Sequence, residues 1–418
     1  MHILIIPSEE YVPEENPIAG IFQHHQAKIL LEKGHQVGAL SFTCRYSYAS
    51  LFKSLLGKTN KQTRKISFFK RLWMLFSRTF SPFKAGVSEE VIEGVRVLRV
   101  DGFWGTKKTT EPLSKLEIWQ DYFPRALDYY IKKYGKPDVI HAHNMVYAGL
   151  VAFEYQQISG IPVVVTEHST EYAVEEQSPE LTQKLSEAFS SQQSIYAVSP
   201  KLISLLQDKF SIPESHLPKW LPNVLDPIIE DSPGTRTRTD SKVRFLNIAN
   251  LIPVKGQKDL IHSFYEAFQD NNRAELFIAG AGKLKEELET LIREKGLENK
   301  VKLLGQLNRP QIVEAIDNAD VFVLPSLYET FGVVLIEALA RGIPVISTNC
   351  DGPECIVNQT NGVLIPLGNP EAMTNSLMKM FDHYREYSRE TLIRDSIKLY
   401  GKEAFYRNVS ACYAQILK

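Results

Sequence analysis

Several features that would point to particular classes of protein are missing from this sequence. Its four cysteines form no Cys-x-x-Cys pair and no zinc-ligand spacing, so we expect free, mostly buried thiols in a reducing compartment. No apolar run reaches the roughly 18 residues that a transmembrane helix requires. Residues 1–6 are apolar, but no basic segment precedes them and Pro7 ends the run, which favours a first strand over a signal peptide. We therefore predict a cytoplasmic protein.

A strong net charge is also missing. The 48 basic and 49 acidic residues give a formal net charge of −1, so no global charge favours binding to nucleic acid. No Asp-x-Asp pair occurs, which removes one common arrangement of carboxylates around a divalent metal ion. The 44% hydrophobic and 23% charged residues, over a length of 418, are typical of a soluble globular protein. That length favours two domains of roughly 200 residues each.

One stretch, residues 321–346, carries the clearest structural pattern. A short apolar run over 321–324 ends at Pro325 and predicts a buried strand. After a polar loop, a second apolar run over 333–340 predicts a buried helix, which Gly342 closes. A further strand then begins, so the order is strand, loop, helix and strand, as in the βαβ unit of a parallel sheet. The pattern predicts an α/β fold.

Two carboxylates interrupt this stretch. Glu337 has only apolar neighbours in the predicted helix, and a buried carboxylate is costly unless it has a polar partner. A sugar diol is one suitable partner, because two hydroxyl donors match two carboxylate oxygens. A buried arginine or lysine is the alternative. Glu329 lies in the preceding loop, and Gly332 opens the helix, where free amide groups suit a phosphate.

The spacing of these two residues resembles a family motif. Glu329, seven intervening residues and Glu337, followed by Ala-Leu-Ala-x-Gly-x-Pro-Val, resemble the retaining glycosyltransferases of family 4. The likeness covers most of the chain and is strongest over residues 245–367. It implies the GT-B fold, in which two Rossmann-like domains have parallel sheets that face a central cleft. The expected parts are an acceptor-binding domain over 1–222, a nucleotide-sugar-binding domain over 223–400 and a helix over 401–418 that crosses back to the first domain.

The resemblance implies roles for residues of the second half. Glu337 is expected to bind the ribose hydroxyls and Glu329 the donor sugar. Lys255 is kept from the family pattern and is expected to face the diphosphate. Family members often have Gly-Arg where this chain has Ala-Asn250, so Asn250 would contribute a hydrogen bond and no charge. The donor is also expected to meet the start of the apolar helix, at Phe331, Gly332 and Val333.

In the first half, the resemblance points to two residues. Gly20 matches a glycine that approaches the reacting end of the donor, and a simple helix-entry glycine is the alternative. His168 matches a histidine that lies by the donor sugar and diphosphate, and a hydrogen-bonded structural histidine is the alternative. His141, His143 and His168 stand at strand ends, but no close Cys or Asp completes a tetrahedral zinc site. We predict no metal.

Together these expectations define a reaction. We predict a hexosyltransferase-type enzyme that moves a sugar from a nucleotide-diphosphate sugar with retention, without metal or other cofactor. The expected catalytic residues are Glu329, Lys255 and His168, UDP is slightly favoured over GDP, and the acceptor is a glycan, most simply a lipid-linked one in surface polysaccharide synthesis. Paired-carboxylate glycoside hydrolysis fits poorly, because Glu337 lies inside a helix. A sugar-nucleotide epimerase of the same fold and a non-catalytic nucleotide-sugar-binding module are the alternatives.

A basic stretch, residues 45–84, is inserted into the first half. It contains ten Lys or Arg residues and no Asp or Glu, with Phe, Leu, Trp and Met interleaved. This composition is typical of a helix at an anionic membrane surface, which would place the protein at the inner face of the cell membrane. A lid over the acceptor site with solvated lysines is the alternative. Stacking on single-stranded nucleic acid is disfavoured by the net charge and the family resemblance.

Overall fold

A computed structural model describes most of the chain, which divides into two compact units. Unit 1 comprises Met1–Ala197, Leu206–Lys219 and Asn408–Lys418, and unit 2 comprises Val198–Leu205 and Trp220–Arg407. The described residues are 1–13, 20–46, 48–57, 67–69, 72, 87–103, 111–169, 172, 176–232, 236 and 240–417, with backbone alone over 44–46, 48–51 and 101–103. Most of the basic stretch 45–84 therefore lies outside the described residues.

Unit 1 is built around an eight-stranded sheet. Its strands are β1 (His2–Pro7), β2 (Gln36–Tyr46), β3 (Val87–Ile92), β4 (Val95–Phe103), β5 (Val139–His143), β6 (Val163–Glu167), β7 (Ile195–Ala197) and β8 (Lys219–Trp220). Their order across the sheet is β3-β4-β2-β1-β5-β6-β7-β8. Strands β4, β2, β1, β5, β6 and β7 pair in parallel, and β3 pairs with β4 as an antiparallel hairpin. The parallel part has the doubly wound arrangement of a Rossmann-like sheet.

Unit 2 has a six-stranded sheet in which all neighbouring strands are parallel. Its strands are β9 (Val243–Ile248), β10 (Ala274–Ala279), β11 (Val301–Gly305), β12 (Val321–Leu324), β13 (Val345–Thr348) and β14 (Gly362–Ile365). The order β11-β10-β9-β12-β13-β14 is again that of a Rossmann-like sheet. Phe245, Phe264 and Phe268 are at the centre of the buried apolar cluster that covers one face of this sheet.

Helices connect most of the consecutive parallel strands. The long helix α3 buries an apolar stripe, which includes Trp119, Phe123 and Tyr130, against the sheet of unit 1. In chain order the helices are α1 (Ile21–Glu32), α2 (Tyr48–Leu55), α3 (Pro112–Tyr134), α4 (Leu150–Ser159), α5 (Pro179–Ser191), α6 (Pro200–Phe210), α7 (Pro227–Asp231), α8 (Gln257–Phe268), α9 (Lys285–Glu294), α10 (Arg309–Asp317), α11 (Val333–Ala340), α12 (Pro370–His383), α13 (Arg389–Tyr400) and α14 (Lys402–Ile416).

The predicted α/β class with two Rossmann-like, mostly parallel sheets is confirmed. Helix α14 begins in unit 2, and its residues from Asn408 onward belong to unit 1, where Val409 and Tyr413 are fully buried. Among the helices that the structure describes, none combines the length and the apolar character needed to span a bilayer. Of the cysteines with described side chains, Cys350 and Cys412 are buried and Cys355 is half-buried, and all three are free thiols.

Candidate functional site

In unit 2, two loops meet where the strand order reverses. Strands β9 and β12 are sheet neighbours, and open α/β sheets bind ligands beyond the carboxyl ends of such strands. The Leu327 amide of the second loop donates a hydrogen bond of 2.7 Å to the Val254 carbonyl of the first. A Cβ atom at Gly256 would lie 2.0 Å from the Pro325 carbonyl oxygen, so no other residue permits this approach. Gly256 thereby brings Lys255 beside the second loop.

The predicted catalytic pair of unit 2 is in direct contact. Lys255 Nζ donates to Glu329 Oε1 at 2.6 Å, and Ser326 Oγ donates to the same oxygen at 2.9 Å. The two charged side chains are 20% and 14% exposed, so they are shielded from bulk water but still reachable. Glu329 uses one of the three donors of the ammonium group. The remaining donors of Lys255 have no partner among the residues that the structure describes, and they are available to an anion.

The start of α11 offers main-chain donors at the same edge of the sheet. Gly332 precedes the helix with φ +95°, a left-handed conformation that favours glycine. The first amide groups of a helix have no carbonyl partner within it, so those near Val333 suit a phosphate oxygen. Phe331 is almost fully buried, with its ring 5.7 Å from that of Tyr400. If Phe331 contacts the sugar-donor substrate, as predicted, the contact must therefore be made by its main chain.

Glu337 has the polar partner that its burial requires. Arg309 Nη2 donates to Glu337 Oε1 at 2.7 Å and also lies 2.5 Å from Asp226 Oδ2. Burial raises the pKa of the Glu337 carboxyl, and the neighbouring Arg309 opposes this rise. The second carboxylate oxygen, Oε2, is buried without a hydrogen-bond partner in the described part of the chain. The predicted basic partner of Glu337 is therefore Arg309, which binds one carboxylate oxygen. The other oxygen has no partner among the described residues, so the predicted contact with a sugar diol stays a prediction.

Asn250 lies at the carboxyl end of β9, with an exposed side chain. Its main-chain carbonyl accepts a hydrogen bond of 3.0 Å from Gln257 Nε2 at the start of α8. This contact fixes the backbone of the first loop. The predicted contact of the Asn250 side chain with the donor stays a prediction.

In unit 1, three histidines form a stack at the carboxyl ends of β5 and β6. The ring of His143 lies 4.6 Å from that of His141 and 5.2 Å from that of His168. His143 Nδ1 and His168 Nε2 share a hydrogen bond of 3.0 Å, and His141 bonds to Thr166 and Tyr413. Burial lowers the pKa of His141 to about 3 and that of His143 well below its usual value, so both imidazoles are neutral near pH 7.

The structure places these histidines together as hydrogen-bonding groups. Within the described ranges, no three His, Cys, Asp or Glu side chains are grouped so that they could hold a metal ion. The absence of metal from the reaction stays a prediction. Gly20 directly precedes α1 with φ +64°, and its role and that of His168 towards the donor also stay predictions.

Glu167, at the end of β6, is a structural group that the sequence did not reveal. Its buried carboxylate accepts four hydrogen bonds, from the amides of Met145, His168 and Ser169 and from the hydroxyl of Tyr172. The loop after β5 needs this support, because Tyr147 has φ +71°, a costly conformation for a side chain of this size. Glu167 thereby fixes the main chain at His168.

A cavity of about 270 Å³ opens among the loops that follow β1, β5 and β6. The ring of Phe22 lies 4.4 Å from that of His168, and Lys115 Nζ lies 4.1 Å from the centre of the Tyr147 ring. Gln23 Oε1 is a buried acceptor that has no hydrogen-bond partner among the described residues. Aromatic walls with a few convergent polar atoms are typical of small-molecule sites. Residues that line the cavity include Phe22, Gln23, Lys115, Asn144, Tyr147 and His168.

Two family models match the chain, one in each half. Residues 230–400 match the model described as "Glycosyl transferases group 1", and residues 80–226 match the one described as "Glycosyltransferase Family 4". An uncharacterized glycosyltransferase of Methanocaldococcus jannaschii is 28% identical over 74% of this chain and 85% of its own length. The amylovoran biosynthesis glycosyltransferase AmsK of Erwinia amylovora is 35% identical, over 33% of this chain and 36% of its own.

Solved glycosyltransferase structures have the same fold. Sucrose-phosphate synthase of Thermosynechococcus elongatus superposes with a TM-score of 0.71 at 18% identity, covering 99% of both chains. The chain belongs to the group 1 glycosyltransferases. Anabaena HepE, solved in complex with UDP, superposes with a TM-score of 0.67 at 17% identity, covering 99% of this chain and 100% of its own. The family and the GT-B fold expected from the motif are therefore confirmed.

Several groups of unit 2 have the chemistry to interact with parts of a nucleotide-diphosphate sugar. A diphosphate needs cations and aligned dipoles, which Lys255 and the start of α11 can provide. A ribose needs hydrogen-bond partners for its hydroxyls, and Glu337 has an unused oxygen. A sugar needs an acceptor for its own hydroxyl protons, and Glu329 has a second oxygen beyond the one bound to Lys255.

Sequence reasoning missed three side chains of this glycosyltransferase that support its candidate sites. They are Glu167, which supports the main chain at His168, and Arg309 and Asp226, which form the ion-pair cluster with Glu337. A signal was present for Arg309, since a buried carboxylate predicts a basic partner. The partner's position was not predictable, because Arg309 lies 28 residues away along the chain.

Proposed function

We propose that this glycosyltransferase moves a hexose from a nucleotide-diphosphate sugar to a glycan acceptor, with retention of configuration and without metal. Unit 2 binds the donor, and the cavity of unit 1 binds the acceptor. One observation carries the proposal: Lys255 and Glu329 meet at 2.6 Å where β9 and β12 end, and unused ammonium donors remain there. This arrangement provides a cation for a departing diphosphate without a metal ion.

The proposed reaction exchanges one bond at the anomeric carbon. The bond from this carbon to the diphosphate oxygen breaks, and a bond to the acceptor oxygen forms on the same face of the sugar. The acceptor proton passes to the departing phosphate oxygen. Lys255 and the amides at the start of α11 stabilise the charge that develops on the diphosphate. Glu329 orients the donor sugar through its hydroxyls.

Two comparisons support the choice of substrates. HepE was solved in complex with UDP, so UDP is placed slightly ahead of GDP as the nucleotide of the donor. AmsK is named for amylovoran biosynthesis, which supports a role in surface polysaccharide assembly, where acceptors are commonly linked to a lipid. The aromatic walls and the buried Gln23 oxygen of the unit 1 cavity suit the apolar face and the hydroxyls of a terminal sugar ring.

The deciding experiment measures nucleoside diphosphate release with and without acceptor. Purified protein is first screened by thermal shift against UDP, GDP, ADP and their sugars. The stabilising nucleotide sugar is then incubated with lipid-linked and soluble glycans. Release of diphosphate that depends on acceptor, with a new glycosidic product of retained configuration, is expected. Conversion of the sugar nucleotide without acceptor would favour an epimerase, and binding without any turnover would favour a non-catalytic module.

The basic stretch supports a membrane surface as the place of action. In its described part, Phe52, Leu56 and Phe69 are 60%, 68% and 80% exposed, and Lys53 is exposed beside them. Exposed apolar and basic groups in one segment of the chain suit an anionic lipid surface, where each base contributes about 1 kcal/mol. We therefore expect this glycosyltransferase to associate with the inner face of the cell membrane.

Vesicle flotation tests this association. The protein is expected to float with vesicles that contain anionic lipid, to float less as salt is raised, and to stay in solution with neutral vesicles. A variant that lacks residues 53–84 should no longer float but should keep its nucleotide affinity. Equal flotation of the variant, or no flotation at low salt, would favour a lid and a water-soluble acceptor.

A further inference from the structure

The ion pair between Arg309 and Glu337 is incomplete. Arg309 uses the same nitrogen, Nη2, for its contacts with Glu337 Oε1 at 2.7 Å and with Asp226 Oδ2 at 2.5 Å. Arg309 Nε and Glu337 Oε2 are buried, and neither has a hydrogen-bond partner in the described ranges of the chain. The pair therefore keeps one buried donor and one buried acceptor unused.

The bonding of a second arginine of unit 2 differs from that of Arg309. Arg341 binds both oxygens of Asp317, through Nε at 2.7 Å and Nη2 at 2.6 Å. Its Nη1 donates to the carbonyls of Ile229 and Ser232, at 3.1 and 2.6 Å. All its nitrogens are engaged, as expected for a structural ion pair. Unsatisfied buried polar atoms cost stability, so those of Arg309 and Glu337 indicate that a further group completes the pair.

We propose that Arg309 and Glu337 together bind the vicinal hydroxyls of the donor's ribose. One hydroxyl donates its proton to Glu337 Oε2, and the oxygen of its neighbour accepts a hydrogen bond from Arg309. A diol matches this pair, because each hydroxyl both donates and accepts. The inference rests on the proposed function for the presence of a nucleotide, and it adds a residue that the family motif does not contain.

The surroundings of the pair favour entry of the ligand along the guanidinium group. The Arg309 side chain is 20% exposed, whereas that of Glu337 is 3% exposed. Asp226 holds the guanidinium from another side, and its Oδ1 also accepts from the Ile228 amide at the start of α7. Arg309 is therefore restrained at Nη2, while its buried Nε has no hydrogen-bond partner among the described residues. A restrained donor loses little freedom on binding, which favours selective recognition.

Calorimetry with deoxynucleotides tests the proposal. The dissociation constants of UDP, 2′-deoxy-UDP and 3′-deoxy-UDP are measured for the wild type and for the variants Arg309→Met and Arg309→Lys. The wild type should bind at least one deoxy analogue about tenfold or more weakly, since a buried polar atom then stays unpaired. In Arg309→Met, UDP should bind about tenfold more weakly than in the wild type. The deoxy penalty, which is the Kd of that analogue divided by the Kd of UDP, should fall to about threefold or less in this variant. Arg309→Lys should restore part of the UDP affinity and part of the deoxy penalty.

Arg244→Met is the matched control. Arg244 is 25% exposed and pairs with Glu275 at 3.0 Å in the same unit, and it has no contact with Glu337. This variant should keep both the UDP affinity and the deoxy penalty of the wild type. Thermal melts of all variants exclude unfolding as the cause of lost binding. If Arg309→Met does not fold, the test compares the deoxy penalty of Arg309→Lys with that of the wild type.

Three results would overturn the inference. The first is a wild type that binds both deoxy analogues as tightly as UDP. The second is a folded Arg309 variant that keeps the full wild-type penalty. The third is a wild type that binds no nucleoside diphosphate, which would also overturn the proposed donor. Acceptor-dependent sugar transfer by the wild type, combined with either of the first two results, would leave the proposed function standing and remove the role of Arg309 alone.

Discussion

Replacement of Lys255 by alanine removes the only full positive charge that we place at the donor's diphosphate. In a partly buried site with an effective dielectric constant of about 20, a unit charge at about 4 Å from a developing negative charge contributes about 4 kcal/mol. Glu329, 2.6 Å from Lys255 Nζ, offsets part of this attraction. We therefore expect a loss of about 2.7 kcal/mol in the transition state, which corresponds to a hundredfold lower turnover.

The assay is acceptor-dependent release of nucleoside diphosphate at saturating donor. Lys258→Ala is a suitable control, because Lys258 also forms an ion pair of 2.6 Å, with Glu287, but these side chains are 48% and 50% exposed. The control should keep wild-type turnover, since exposed pairs contribute little. A folded Lys255→Ala variant with more than about a third of wild-type turnover would refute the electrostatic reasoning, because a hundredfold effect would then be absent.

Three further predictions concern binding, metal and pH. Glu337→Ala should raise the Kd of the nucleoside diphosphate by roughly five- to 150-fold, the effect of about 1–3 kcal/mol of lost hydrogen bonding; a wild-type Kd by calorimetry would contradict this role. Transfer should continue in excess chelator, whereas loss that Mg²⁺ or Mn²⁺ restores would show a metal requirement. Because burial lowers the pKa of His141 to about 3, the unfolded chain takes up a proton below about pH 6.5 that the folded chain refuses. As the pH is lowered from about 6.5 towards 3, this group should therefore reduce the free energy of unfolding by about 1.4 kcal/mol per pH unit. In urea titrations at several pH values, His141→Gln should make the free energy of unfolding depend less steeply on pH. The same slope in the variant and the wild type would count against this prediction.

The order of strands and helices was largely predictable because each one leaves a local pattern. The apolar runs at 321–324 and 333–340 correspond to β12 and α11. The predicted end of this helix is also correct, because Gly342 follows α11 in the left-handed conformation, with φ +75°. Periodicity and caps act over a few residues, so a single sequence contains them.

The candidate site was predictable only where its residues are close in sequence. Glu329 and Glu337 belong to one motif, and the need of Glu337 for a polar partner followed from its apolar neighbours. The identity of that partner depends on the tertiary contact that brings Arg309, at the start of α10, to Glu337 in α11, and no local sequence pattern specifies this contact. Likewise, Glu167 supports a loop that starts at residue 144, and its four donors come together only when β5 and β6 pair.

The division of α14 between the two units governs how this protein can be taken apart. Unit 1 consists of three separate pieces of chain, and the last piece, Asn408–Lys418, follows all of unit 2. Tyr413 in this piece is fully buried, and its hydroxyl lies 2.8 Å from His141 Nδ1. A gene fragment that stops at residue 407 thus encodes all of unit 2 and an unfinished unit 1. Chimeric enzymes that join the first half of one relative to the second half of another should take this tail from the parent of the first half.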